Sequence, residues 1–139
     1  MYSVEITGES RFPVDRKRVR AVVARVLKAY GVQGAVVVGV RIVGDRKMRQ
    51  LNSDFRRVDS TTDVLSFPTE DPSAALRTSP SAAYGGFAYP KEEAFPLGDI
   101  VISYPQARLQ AAERDILVND EIEALLEHGV KSLLGEHDE

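Results

Sequence analysis

The sequence predicts an α/β (α+β) fold: a single layer of about four mostly parallel strands packed with helices. Two observations predict it. Short β-branched runs alternate along the chain with longer segments whose apolar residues recur at helical spacing. A length of 139 residues supports one hydrophobic core, so residues 1–139 read as a single domain.

The elements follow in order. "YSVEI" alternates, apolar at Val4 and Ile6, and reads as a strand. Pro13 and Asp15 open a helix in which Val19, Val22, Val23, Val26, Leu27 and Tyr30 share one face, and Gly31 stops it. "GAVVVGVRIV" is nearly continuous in β-branched residues, as in a strand buried on both faces. Gly44-Asp45 turns the chain into "DRKMRQLNSDFRR", a helix with Met48, Leu51 and Phe55 in a row. "TTDVLSFP" is the next strand, stopped by Pro68. Residues 69–96 carry Pro72, Pro80, Pro90, Pro96 and Gly85-Gly86 without any period, and read as a long, mobile, Pro-rich insertion. "LGDIVIS" follows as the last strand. Pro105 fits the first turn of a helix through "QARLQAAERD". Asn119 or Asp120 caps a final helix, whose core stripe is Ile122, Leu125, Leu126, Gly129, Val130 and Leu133 and whose stop is Gly135.

Composition excludes several kinds of chemistry. The chain has no cysteine, so disulfides, thiolate metal sites and cysteine nucleophiles are ruled out. No apolar run approaches the ~20 residues that span a bilayer, and "MYSVEITGES" lacks the basic and apolar blocks of a signal peptide. A cytoplasmic protein with no membrane partner is expected. The charge is unevenly placed. Residues 1–57 hold 13 Lys and Arg against 5 Asp and Glu, whereas residues 58–139 hold 5 against 16. A basic half suits a phosphate-bearing partner. The plainer account is a solvated helix face compensated in space by the acidic half.

Three segments could carry chemistry. Both histidines lie in "LLEHGVKSLLGEHDE". His128 and Ser132 are four residues apart and so stack on one helix face. Beyond Gly135, His137, Asp138 and Glu139 could curl back as further metal donors. A catalytic zinc needs three protein ligands and an open position, and a serine hydroxyl is a poor substitute for imidazole. An ordinary helix end with a solvated tail accounts for the same residues. In "LNSDFRRVDSTTDVLSFP", Arg56 offers a planar fork matching a phosphate, although a cation there also complements the helix dipole. In "PLGDIVIS", Asp99 is either turn chemistry or a carboxylate supporting a metal ligand.

Taken together, these blocks resemble the YbeY family of rRNA maturation factors, single-strand-specific and metal-dependent endoribonucleases. The resemblance rests on Leu51, Asn52, Phe55 and Arg56, then "TDVLSFP" at 62–68, "LGDIVI" at 97–102 and "HGVKSLLGEHD" at 128–138. It implies one zinc ion whose three ligand seats fall on His128, Ser132 and Asp138, with His137 one position early. It also implies a catalytic phosphate-binding role for Arg56. RNA contacts are expected from Arg56, Arg57, Arg16, Lys17, Arg18 and Arg20. The implied partners are single-stranded rRNA and the ribosomal small subunit or ribosome-associated factors. Because Ser132 departs from the family pattern, a non-catalytic RNA- or ribosome-binding module of the same fold is the alternative, and a hydrolase of another substrate is a third.

Overall fold

The computed structural model describes residues 1–68 and 95–136. The expected order of elements runs through them: β1 (Tyr2–Gly8), α1 (Arg16–Ala29), β2 (Val36–Val43), α2 (Asp45–Arg56), β3 (Val64–Pro68), β4 (Phe95–Ser103), α3 (Tyr104–Arg114) and α4 (Val118–Leu133). The expectation of a mobile insertion over 69–96 lies outside the described residues except at its end, where it needs correction. Phe95 and Pro96 belong to β4. The Phe95 N–H donates to the Ala35 carbonyl at 2.9 Å. Pro96 adjoins a register shift between Val37 and Val38, an irregularity that tolerates a residue without an N–H.

The strands form one sheet in the order β1-β2-β4-β3. β1, β2 and β4 are parallel, and β3 runs antiparallel to β4 as an edge strand. Successive strand residues point to opposite faces, and this divides the core. Val38, Val40, Ile42, Ile100 and Ile102 pack with the apolar stripes of α1 and α4 on one face. Val43, Leu65 and Val101 meet Met48 and Leu51 of α2 on the other. β2 was expected to be buried on both faces. Among the described residues, its second face instead exposes Arg41 and packs with α2 at Val43.

Glycines set how closely α4 can sit. A Cβ on Gly129 would come within 2.8 Å of Ile100, so the bare backbone lets the helix rest on β4. Gly98 has φ 149° and faces Leu133 and the Phe67 carbonyl, where a Cβ would lie 2.7 and 2.6 Å away. The start of α4 also differs from expectation. Its N-cap is Leu117, with Asp120 accepting the Leu117 N–H at 3.3 Å from inside the first turn. Asn119 is engaged elsewhere, accepting the Asp15 N–H at 3.2 Å. Gly135, at φ 91°, follows the last turn as expected.

Candidate active-site cleft

α2 ends where Arg57 takes a left-handed conformation, φ 59°, with its N–H returned to the Ser53 carbonyl at 3.1 Å. The Val58 N–H closes the same turn on the Asn52 carbonyl. Buried Asn52 then donates its amide to the Ser60 carbonyl at 2.9 Å, holding the loop that leads into β3. The loop brings the end of α2 beside the edge strand. Phe55 packs edge-on against Phe67 with ring centres 5.2 Å apart. Arg56 is exposed there, and no carboxylate among the described residues pairs with it.

On the other face, α4 lies against β3. Alternation in "VLSFP" turns Ser66 toward it, and the Ser66 hydroxyl donates to the Gly129 carbonyl at 3.1 Å. The result is a cavity of about 250 Å³ at the sheet edge, lined by Arg56, Val64, Ser66, Pro68, His128 and Ser132. Arg56 reaches it from α2, and His128 and Ser132 reach it from α4. His128 is exposed and Ser132 is half-buried. Lys131 is turned to the next face of α4, where its ammonium pairs with Glu127 at 3.3 Å.

The structure therefore joins Arg56, His128 and Ser132. His137 and Asp138 lie outside the described residues. Asp99 is not part of the cleft, which corrects the idea that it supports a metal ligand. Its neighbour Ile100 faces Gly129, so Asp99 points to the opposite face, with its carboxylate over Gly39 of β2.

The basic residues of α1 are also set apart. α1 covers β1 and β2, two to three strand spacings or about 10–14 Å from β3. Arg18 bonds Asp120 at 2.7 Å and also pairs with Glu123, while Arg25 lies 3.6 Å from Glu127. These bonds hold the Asp120 carboxyl below its ordinary range and raise the Arg18 guanidinium. Arg16 donates to the Ile6 carbonyl at 3.1 Å. Lys17 is exposed, and Arg20 borders a recess with Tyr2 and Val4 at the outer edge of β1. The expected compensation by the acidic half is thus realised between α1 and α4 at Arg18 and Arg25. Ser66 was missed by the sequence reading, although the alternation of β3 marks it as facing α4.

The donors of the cleft can be tested against a zinc site. His128 is an ordinary zinc donor, but the hydroxyl of Ser132 is not. Among the described residues no group of three His, Cys, Asp or Glu is placed to hold a metal ion. These residues do not make up a three-ligand site.

A parallel sheet with an antiparallel edge strand, and a cleft there joining Arg56 of one helix to His128 of another, define an α/β protein with a candidate site at the sheet edge. Comparison with known proteins gives the family. The family model of Endoribonuclease YbeY matches residues 5–139, and the chain belongs to that family. The chain is 37% identical over 122 residues to the Endoribonuclease YbeY of Dehalococcoides mccartyi strain BAV1, covering 88% of this chain and 74% of that one. It is 37% identical over 134 residues to the Endoribonuclease YbeY of Chloroflexus aggregans, covering 96% and 80%. The solution structure of TM1509 from Thermotoga maritima matches with a TM-score of 0.57 at 22% identity, covering 98% of this chain and 75% of that one. At that identity the likeness speaks for the fold alone. Among the described residues no helix is long and apolar enough to cross a membrane.

Proposed function

We propose that this chain is an endoribonuclease of rRNA maturation, acting on single-stranded RNA laid across the β3 edge. The carrying observation is the convergence of Arg56 with His128 and Ser132 on one open cleft from opposite faces of the sheet. Arg56 supplies two parallel N–H donors to a phosphate and stabilises the charge that builds on it during transfer. His128 supplies an imidazole able to hold or pass a proton at the same phosphate. Ser66 and Gly129 keep α4 registered on β3, so the two groups stay within one cleft. The substrate is rRNA in the cytoplasm, met on the ribosomal small subunit or through ribosome-associated factors.

The resemblance implies a zinc ion, which when bound would activate water and polarise the phosphate. With Ser132 in the second seat, metal affinity is expected to be weak, and His137 or Asp138 would have to supply the remaining donors. Elemental analysis of protein purified with added zinc tests this. Substoichiometric zinc in the natural sequence, rising in Ser132→His and again with Asp138→His, is the expected result. Full occupancy in the natural sequence would overturn the weak-site reading.

Cleavage of a labelled single-stranded rRNA fragment tests the activity. Cutting that is lost in His128→Ala and in Arg56→Ala supports the proposal. RNA binding with no cutting under any supplied divalent metal would instead make the chain a binding member of the family.

A further inference from the structure

A second basic cavity opens away from the cleft, at the carboxyl ends of β1 and β2. It measures about 920 Å³, in the range of roughly 300–1,000 Å³ occupied by small-molecule sites. Its position follows from topology. The chain leaves β1 toward α1 on one face and leaves the adjacent β2 toward α2 on the other. Neighbouring parallel strands whose connections diverge leave a crevice between them, and such crevices are where open α/β sheets bind ligands.

The lining has the chemistry of a phosphate site. Arg41, Arg46 and Lys47 face the cavity, and no carboxylate among the described residues pairs with any of them. Two carboxylates border it, and both are engaged. Glu9 pairs with Arg11 at 3.1 Å. Asp45 accepts from the Ser103 hydroxyl at 2.8 Å, the Thr61 hydroxyl at 3.0 Å and the Gln106 amide. Since Asp45 is turned to that network, it does not cap the start of α2, whose N-cap Gly44 has no side-chain bond.

One wall is apolar and aromatic. Phe12 lies under the Arg11 guanidinium at 4.6 Å and packs on Tyr104 with ring centres 5.2 Å apart. A base has a flat face to place on such a wall, and its phosphate meets the cations.

The geometry points to a second nucleotide-binding site in this cavity, where Arg41, Arg46 and Lys47 hold a backbone phosphate of the same RNA strand whose cut segment lies in the β3 cleft. This inference rests on the proposed RNA substrate. α2 links the two places. Its first turn opens on the cavity and its last residue, Arg56, lies in the cleft. The nine residues from Lys47 to Arg56 span about 14 Å at 1.5 Å per residue, a distance a short single strand bridges. A free nucleotide would use the same phosphate chemistry, and the test separates the two sources.

Amide signals of the full chain are followed by NMR during titration with a 12-nucleotide single-stranded RNA and, separately, with AMP. Gly8 and Gly44 report on the cavity, and Ser66 and Gly129 report on the cleft. Movement of both sets with the 12-mer is expected. In the Arg41→Ala/Lys47→Ala variant the cavity signals should stay still. The salt slope of RNA affinity should then fall by about 1.4, about 0.7 for each cation removed from a single-strand contact. A 3-nucleotide RNA confined to the cleft should bind both proteins equally.

Cleft signals that move while the cavity signals never do would overturn the inference and leave the proposed function intact. Movement of the cavity with AMP but not with the 12-mer would overturn the strand assignment in favour of a free nucleotide. Cleft signals that ignore RNA altogether would defeat the proposed function itself.

Discussion

Two helices carry the basic half of this chain, and they use their charge differently. On α1, Arg18 and Arg25 are matched by Asp120, Glu123 and Glu127 of α4, so part of that helix's charge is taken up in holding the two helices together. On α2, Arg49 is matched by Asp59, but Arg46, Lys47 and Arg56 meet no carboxylate among the described residues. Positive charge in the same half of the sequence therefore becomes packing in one place and an open surface in the other. The deciding factor is the neighbour. α1 faces an acidic helix across the same side of the sheet, whereas α2, among the described residues, packs on the other side beside Asp59 and the edge strand.

The comparison can be broken most severely through α4, the element that both pairs with α1 and lines the cleft. Gly129→Val would drive a branched side chain into Ile100, already 2.8 Å from a bare Cβ. Urea unfolding should show a loss of about 2–3 kcal/mol, the usual scale of overpacking, with RNA cleavage falling alongside. Arg56→Ala tests α2 directly. Fluorescence anisotropy at low salt should show RNA affinity reduced by about 10-fold or more, the scale of a charge-assisted phosphate contact, with the melting temperature unchanged.

Ser66→Ala removes the bond to the Gly129 carbonyl and should cost about 1 kcal/mol of stability by urea titration, sharpening how firmly α4 is registered on β3. Arg18→Ala provides the contrast with Arg56→Ala. It should lower the melting temperature slightly and leave RNA affinity as it was, because this exposed pair already satisfies its own charge. Equal losses of RNA affinity in the two variants would erase the distinction between the helices.

The smallest effect is with pH. The Asp120 and Asp59 carboxyls are held below their ordinary range by Arg18 and Arg49. Their contribution is present above that range and disappears as the pH falls through the lowered values. Thermal melts below the ordinary carboxylate range should show a loss of stability that is reduced in Arg18→Ala.

Much of the fold was legible because it is written in local periodicity. The stripe from Ile122 to Leu133 and the run from Val36 to Val43 need only their own spacing to declare a helix and a strand. Boundaries were less legible where proline and capping residues have two uses. Pro96 read as loop punctuation yet sits in β4, and Asn119 read as a cap yet bonds Asp15 across the fold. Within the cleft, the motif around Arg56 and His128 was legible. Ser66 was not, because its role depends on a carbonyl 63 positions away. Asp99 was left open between turn chemistry and support of a metal ligand, because its sequence neighbourhood does not reveal which face of the sheet it occupies.

The sequence by itself determined the elements, their order, the buried stripes and the family, since each depends on residues a few positions apart. Only the tertiary structure decided which charges remain open. Arg18 finds its partners more than 100 positions away, and Arg56 meets His128 only because an edge strand brings two faces of the sheet together. The cavity of Arg41, Arg46 and Lys47 likewise exists only because β1 and β2 lie side by side and their connections part. Coulomb attraction and phosphate binding act through space over a few ångströms, and chain order alone does not set those distances.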